Sequence, residues 1–366
     1  MKVALIHDYL IDFGGAERVL LALHRIYPEA PIFVSIYRPK LLGEFAEKFK
    51  NAKIIQSWFG YVPFAEKLIS PFRFLLPLIW KSFNLKKYDL IISSASWAAT
   101  KGFEKKAGAV EVCYCHTPPR YLYGYETSRK FTGILGNLVV VYGAIINHFM
   151  RMYDFNTARK VDYFIANSKN VAKRIKKFYR RDAVVIYPPV EIPEVSIASH
   201  SRGGYYLAGG RLVAAKNFDL IISTFNKLNL PLKIYGNGIL RGYLGKMAGK
   251  NIEFLGKVDD VSLDSLYRGA EAFILAQKDE DFGLTAVEAQ AAGTPVIAFR
   301  GGGYTESIIE GKTGVFFDKP TPESLTGAIK KFNSMKIKPE DCIVQAKKFS
   351  KERFMKEIKA FVKKYA

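Results

Sequence analysis

Short apolar runs rich in Val and Ile alternate with segments of helical length through almost the whole chain. The runs Lys2–His7, Ala30–Ile36, Asp89–Ser94, Val110–His116, Tyr163–Asn167 and Ala183–Tyr187 predict strands. Their nearly unbroken apolar character predicts strands covered on both faces. Helices are predicted between them, as at Ala16–Tyr27 and Asn170–Tyr179. The alternation then restarts, with strands predicted at Tyr205–Ala208, Leu232–Tyr235, Ile252–Leu255, Ala272–Ala276, Pro295–Ala298 and Gly314–Phe317. Helices are predicted there at Phe218–Lys227, Ser262–Arg268, Leu284–Ala292 and Glu323–Ser334. Such β/α alternation builds parallel sheets with right-handed crossovers.

The two blocks are separated by "YPPVEIPEVSIASHSRGG", Tyr187 to Gly204, whose prolines, serines and closing glycine pair mark a linker. A chain of 366 residues exceeds what one core usually organises. The expected division is therefore an α/β domain over 1–190, a second over 191–346, and a basic amphipathic helix over 347–366. That helix either folds back to the first domain or lies on a membrane.

Composition adds a partner class. Lys and Arg number 55 against 34 Asp and Glu, a formal net charge of +21, which calls for a polyanionic neighbour such as an anionic membrane surface, nucleic acid or phosphorylated ligands. Three cysteines, Cys113, Cys115 and Cys342, are an odd number and suggest a reducing compartment without a disulfide framework. The opening "MKVALIHDYL" lacks a secretory pattern. Two apolar segments bear on the membrane. Phe131–Met150 has no charged residue, but its asparagines, His148 and three glycines make a poor span, so a buried or interface-facing helix is expected. Ser70–Lys87 mixes Phe, Leu and Trp with Arg73, Lys81, Lys86 and Lys87. It reads either as a partly inserted amphipathic segment or as a core helix with snorkelling basic stems, and the net charge favours the membrane surface.

Candidate chemistry lies where the predicted strands end. In "QKDEDFGLTAVEAQAAGTPVIAF", Glu280 and Glu288 would point about 80° apart on one continuous helix, at about 100° per residue. A helix beginning near Gly283 removes the difficulty: Glu280 lies on the loop before it and Glu288 a turn inside it. The glycine permits close backbone approach, and the helix start offers unpaired N–H groups suited to a diphosphate. An ordinary strand–loop–helix with acids at its start would look the same in this stretch alone. Arg211 and Lys216 follow the first strand of the second block, where they suit a departing phosphate pair or are simply solvated cations. Gly14 and Gly15 follow the first strand of the chain at a helix start, without the full G-x-G-x-x-G fingerprint. His116 ends a strand ahead of Thr117 and two prolines, where it can bond a substrate or be structural. Cys113, Cys115 and His116 lack a fourth ligand and a distant second pair, so no metal site is expected. Lys257 and Val258, after the strand Ile252–Leu255, are candidates for a base pocket by position.

Taken together, these motifs resemble family 4 glycosyltransferases of the GT-B fold over nearly the whole chain. The resemblance rests on Gly14-Gly15-Ala16-Glu17-Arg18, His116-Thr117-Pro118-Pro119-Arg120-Tyr121 and Ala166-Asn167-Ser168. It continues through Gly210-Arg211-Leu212 with Lys216, Glu280 to Glu288, Gly293-Thr294-Pro295-Val296, and Gly302-Gly303 followed by Glu306. The His-Thr-Pro-Pro-Arg-Tyr run is similar to mannosyltransferases of bacterial surface-polysaccharide assembly. Where the family commonly has a serine before its first glutamate, this chain has Lys278-Asp279, and Glu280 alone keeps the spacing to Glu288.

The resemblance implies two Rossmann-like, doubly wound parallel-sheet domains facing a cleft. It implies retaining transfer from a nucleotide-diphosphate sugar, GDP-mannose foremost, to a lipid-linked or polysaccharide acceptor, with no cofactor and no essential metal. Glu280 would hold donor-sugar hydroxyls and Glu288 the ribose, while Arg211 and Lys216 neutralise the leaving diphosphate. Phe282, Gly283 and Leu284 would supply backbone contacts, Gly15 would close on the phosphates, and His116 would bind the transferred sugar. A peripheral position on the inner face of the cytoplasmic membrane would follow. Two other readings are a GT-B nucleotide-sugar epimerase, and a nucleic-acid-binding protein using the basic stretch Lys169–Arg181.

Overall fold

The computed structural model describes residues 1–127, 133–193 and 202–365, and of residues 133–137 only the helical backbone. The centre of the expected linker, residues 194–201, and the start of the apolar segment at 131 lie outside the described residues. The chain divides into two compact units. One comprises Met1–Tyr125, Phe131–Pro189 and Glu352–Ala366, and the other consists chiefly of Val190–Lys351.

The first unit carries a parallel sheet of β1 (Val3–His7), β2 (Ile32–Val34), β3 (Ile54–Gln56), β4 (Leu90–Ala95), β5 (Val110–Cys115), β6 (Tyr163–Ala166) and β7 (Ala183–Val185), in the order β3-β2-β1-β4-β5-β6-β7. Successive residues of β1 enter opposite cores, Leu5 on one face and Ala4 with Ile6 on the other. Burial on both faces explains why no polar alternation is visible in the sequence. The second unit carries β8 (Tyr205–Gly209), β9 (Leu232–Tyr235), β10 (Ile252–Gly256), β11 (Ala270–Leu275), β12 (Val296–Phe299) and β13 (Gly314–Phe317), in the order β10-β9-β8-β11-β12-β13. Here too the faces differ, with Tyr206 and Ala208 in one cluster and Leu207 in the other. Strand order reverses between β1 and β4 in one sheet and between β8 and β11 in the other, and ligands of doubly wound folds bind outside the carboxyl ends of strands at such points.

Several elements were not predicted from the pattern, among them one strand and two helices. β3 is three residues long, too short for a periodic signal. The helix Arg241–Met247 contains Gly242 and Gly245, which lower its intrinsic preference. Pro339–Lys347 starts on a proline that suits the first helical position. The second unit also runs a few residues past 346: Val190 N–H donates to the Phe349 carbonyl and Lys351 N–H to that of Val190. The helix Lys351–Tyr365 then places Phe354, Ile358, Phe361 and Val362, one apolar stripe, in the core of the first unit beside Leu5 and Ile186.

Ser70–Lys87 is not the single core helix that one of its two readings expected. Pro77, tolerated only at a helix start, divides it into a 3-10 turn Arg73–Leu75 and the helix Leu76–Lys81. Leu76, Ile79 and Trp80 are buried while Phe72, Phe74 and Leu78 are exposed. The other apolar segment belongs to a helix Gly133–Lys160, on which Leu138, Val140, Val141, Ile145 and Phe149 are exposed. One side of this helix thus faces outward while Met150, Asp154 and Ala158 are buried, and among the described residues no helix is long and apolar enough to cross a membrane.

Candidate functional site

In the second unit the loop after β11 carries Glu280. Three features hold it. Asn217 Nδ2, on a left-handed residue ahead of the helix Phe218–Leu228, donates to the Ala276 carbonyl at 2.9 Å. Gly303 N–H donates to the Glu280 carbonyl at 2.9 Å. The turn Gly301–Gly303 also packs so closely that a Cβ on Gly302 would collide with that carbonyl oxygen and one on Gly303 with the Phe282 backbone. Glycine is therefore required at both positions for the two loops to touch.

The Glu280 carboxylate accepts on Oε2 from Lys216 Nζ at 2.7 Å and from the Tyr304 hydroxyl at 3.2 Å. Lys216 and Glu280 retain 25% and 15% side-chain exposure, so the pair is shielded yet reachable by a ligand. Next comes Gly283, left-handed at φ +89°, with the Tyr304 ring 2.5 Å from where a Cβ would stand. It caps the helix Leu284–Ala291 without a side-chain hydrogen bond. A helix start offers N–H groups suited to an anion, and of these Ala286 N–H donates to the Gly283 carbonyl at 2.9 Å. Glu288 lies in its second turn, half-buried. Phe282 is buried against Phe349 at 5.3 Å between centroids, so its main chain, not its ring, is what a ligand could meet.

Arg211 follows Gly210 at the carboxyl end of β8 and is exposed. Lys257 and Val258 follow β10, and two strands, β9 and β8, lie between that edge and β11. At about 4.8 Å per strand the end of β10 lies about 14 Å across the sheet from the end of β11. Tyr304 and Asn217 escaped the sequence reading. Both stand beside glycines or at a helix start, but nothing local marks what they touch.

In the first unit Gly14 and Gly15 begin the helix Gly15–Ile26, and Gly14 N–H donates to Glu17 Oε2 at 2.8 Å. The other Glu17 oxygen, Oε1, lies 3.2 Å from His7 Nε2. His7 closes β1 in register with Ser94 of β4, and Ser94 Oγ lies 3.0 Å from His7 Nδ1 and 2.8 Å from His116 Nε2. All four side chains are buried. Burial opposes a charge on His7, but the Glu17 carboxylate, with Asp8, outweighs it and holds the imidazole above its ordinary value. Burial likewise acts against ionised Glu17, yet His7 holds its pKa down. His116 behaves oppositely: burial, reinforced by His7, pushes it down to about 4, so it is neutral at pH 7. Thr117 Oγ1 accepts from the buried Arg174 at 3.0 Å. His7 and Ser94 were not singled out from the sequence, although His7-Asp8 ends an apolar strand in polar residues.

Within the basic stretch Lys169–Arg181, Arg174 bonds Thr117, Arg181 donates to the carbonyls of Ala158 and Asp162, and the helix is capped by Ser168. Several of its cations are thereby committed to the protein. Cys113 and Cys342 are buried thiols pushed up to about 12 by burial. Among the described residues no group of three or more His, Cys, Asp or Glu is placed to hold a metal.

Comparison with known proteins matches residues 13–193 to the model of Glycosyltransferase Family 4 and residues 196–349 to that of Glycosyl transferases group 1. Among curated proteins, an uncharacterized glycosyltransferase of Methanocaldococcus jannaschii is 29% identical over 168 residues, 45% of this chain and 47% of its own. The lipopolysaccharide core biosynthesis mannosyltransferase LpcC of Rhizobium leguminosarum bv. viciae is 32% identical over 166 residues, 40% of this chain and 46% of its own. The matches span less than half the length of these relatives. Among solved structures, sucrose-phosphate synthase from Thermosynechococcus elongatus superposes with a TM-score of 0.75 at 16% identity, covering 100% of this chain and 99% of that one. Anabaena HepE in complex with UDP and glucose gives 0.70 at 17% identity, covering 99% of each. The fold is GT-B, and the comparisons favour neither the epimerase nor the nucleic-acid reading.

Proposed function

Because the chain belongs to glycosyltransferase family 4, we propose that it moves a hexosyl group, mannose from GDP-mannose, from a nucleotide diphosphate to a lipid-linked or polysaccharide acceptor with retention of configuration. The observation that carries this reading is the Lys216–Glu280 ion pair at the head of the helix that Gly283 opens. When donor arrives, Lys216 exchanges the carboxylate for the diphosphate, joined by Arg211 and the N–H groups from Phe282 to Leu284. Glu280, released, takes up sugar hydroxyls, and Glu288 bonds the ribose. The bond from the anomeric carbon to the phosphate oxygen breaks with its electron pair going to that oxygen, which these cations stabilise most as charge develops. The acceptor oxygen bonds the anomeric carbon from the same face and its proton passes to the leaving phosphate. No side chain attacks the sugar, and the charge is met by protein cations without a metal. Mannose is supported by LpcC and by the mannosylfructose-phosphate synthase of Agrobacterium fabrum, 33% identical over 142 residues.

The test is a thermal-shift panel of GDP-mannose, UDP-glucose, UDP-N-acetylglucosamine and free GDP and UDP, followed by diphosphate-release assays. GDP-mannose at a hundredfold its Kd is expected to stabilise the protein by about 2.7 kcal/mol. Stabilisation by uridine nucleotides alone would overturn the donor assignment, and none by any nucleotide would overturn the activity.

A membrane-surface acceptor is supported by one face of the first unit. Arg73 Nε donates to Asn147 Oδ1 at 2.9 Å and the Tyr142 hydroxyl to the Pro71 carbonyl at 2.5 Å. These bonds join exposed Phe72, Phe74 and Leu78 to the outward apolar side of Gly133–Lys160, with Lys67, Lys81 and Arg151 exposed. Apolar side chains among basic ones suit an anionic bilayer. Vesicles containing phosphatidylglycerol are expected to sediment the protein where phosphatidylcholine vesicles do not. Replacing Phe74 and Leu78 together by serine is expected to weaken binding at least about tenfold. Equal binding to neutral vesicles, or none to either, would overturn the anionic-surface reading.

A further inference from the structure

The chain of buried contacts from Gly14 to His116 contains a proton whose position can be deduced. Ser94 has one hydroxyl proton and touches two imidazole nitrogens, His7 Nδ1 and His116 Nε2. It therefore donates to one and accepts from the other. Glu17, a carboxylate, only accepts, so His7 Nε2 carries a proton toward it. Two orders remain. If His7 is neutral, its Nδ1 accepts from Ser94 and His116 donates from Nε2. If His7 is charged, its Nδ1 donates to Ser94 and Ser94 donates to His116 Nε2.

The surroundings choose the second order. Among the described residues, His7 is the only basic side chain within ion-pair distance of the buried Glu17 carboxylate, at 3.2 Å. A buried carboxylate without a compensating cation is strongly disfavoured, whereas a His7–Glu17 ion pair is neutral overall. Asp8, also buried beyond the end of β1, adds a second negative group facing His7.

We propose that His7 is a positioning residue that, through Ser94, holds His116 as the neutral Nδ1–H tautomer and, through Glu17, holds the Gly14–Gly15 turn, so that one buried charge sets both groups. His116 then offers Nδ1–H as a donor, and a ligand meeting it must present an acceptor, such as a hydroxyl oxygen of a sugar. Only the identity of that ligand rests on the glycosyltransferase reading; the tautomer does not. The groups facing His7 are Glu17, Asp8 and, across Ser94, His116. Since the His7 value is raised, the charged order holds below it and reverses as pH rises through it, turning His116 Nδ1 into an acceptor.

Long-range 15N–1H correlation on protein labelled with 15N-histidine reads the tautomer directly, with His116→Gln assigning the signal. At pH 6, below the raised His7 value, the wild type is expected to show His116 protonated on Nδ1. Glu17→Gln removes the charge that keeps His7 protonated while preserving shape, and is expected to switch His116 to Nε2–H with the backbone spectrum intact. Ser94→Ala cuts the link and is expected to release the preference. A wild-type His116 protonated on Nε2, or an Nδ1–H tautomer that persists in both variants, would overturn the proposal whatever the enzyme's substrate proves to be.

Discussion

Replacing Lys216 by alanine is expected to lower kcat/KM for the nucleotide-sugar donor by about 100- to 1,000-fold, with the fold retained. The basis is the cost of removing one preorganised donor from a site of developing charge, about 2.7–4 kcal/mol. Lys216 sits on a short 3-10 turn, Ala214–Lys216, fixed by backbone bonds of its own, so the substitution removes an ammonium and leaves the turn. Glu280 keeps the Tyr304 hydroxyl at 3.2 Å, and its backbone keeps Gly303, so the loop has reason to stay. Lys216→Arg preserves charge with a different shape and is expected to recover part of the loss. Single-turnover measurements on the donor identified by the thermal-shift panel check this. Turnover within tenfold of wild type would remove Lys216 from the proposed chemistry.

The second large effect concerns stability. Lys101 Nζ and Asp154 Oδ1 form an ion pair with side-chain exposures of 1% and 0%, and the Tyr123 hydroxyl donates to Asp154 Oδ2 at 2.7 Å. The pair ties the segment after β4 to the helix Gly133–Lys160, the element whose outer side is apolar. Lys101→Met leaves a buried carboxylate with one hydroxyl for company, and Asp154→Leu leaves a buried ammonium over the Tyr179 ring. Each single change is expected to cost about 3–5 kcal/mol in urea denaturation. The double change is expected to cost far less than the sum, because two charges that must compensate each other leave together. Burial opposes the charge on Lys101, but Asp154 outweighs it and raises its pKa. This part of the stability is present at neutral pH and is lost as pH rises through that raised value. Single changes costing under about 1 kcal/mol would show that the pair is not what holds the helix.

Much of the fold was legible because its signal is local. Twelve strands were expected close to their observed places, since a strand covered on both faces must be apolar throughout. β3 left too few residues for any pattern, and Ser70–Lys87 misled because its apolar residues divide between core and surface around Pro77. The candidate site divides the same way. A helix start at Gly283, with Glu280 before it and Glu288 within it, could be read from glycine and carboxylate spacing. The edge position of Lys257 and Val258 could not, because strand order is not written in any one strand.

By itself, then, the sequence determined the β/α alternation, the division into two sheets and the glycines and charged residues placed at strand ends, all of which depend on neighbours within a turn or a strand. Tertiary structure decided which of those ends meet. Lys216 reaches Glu280 across 64 positions, and His7 reaches Ser94 across 87. Both contacts follow from which parallel strands lie side by side and in what register, a choice set by packing whole sheets against their helices. That is why the charges were visible in advance as candidates, while the ion pair at Glu280 and the proton order from Glu17 to His116 emerged only from the folded chain.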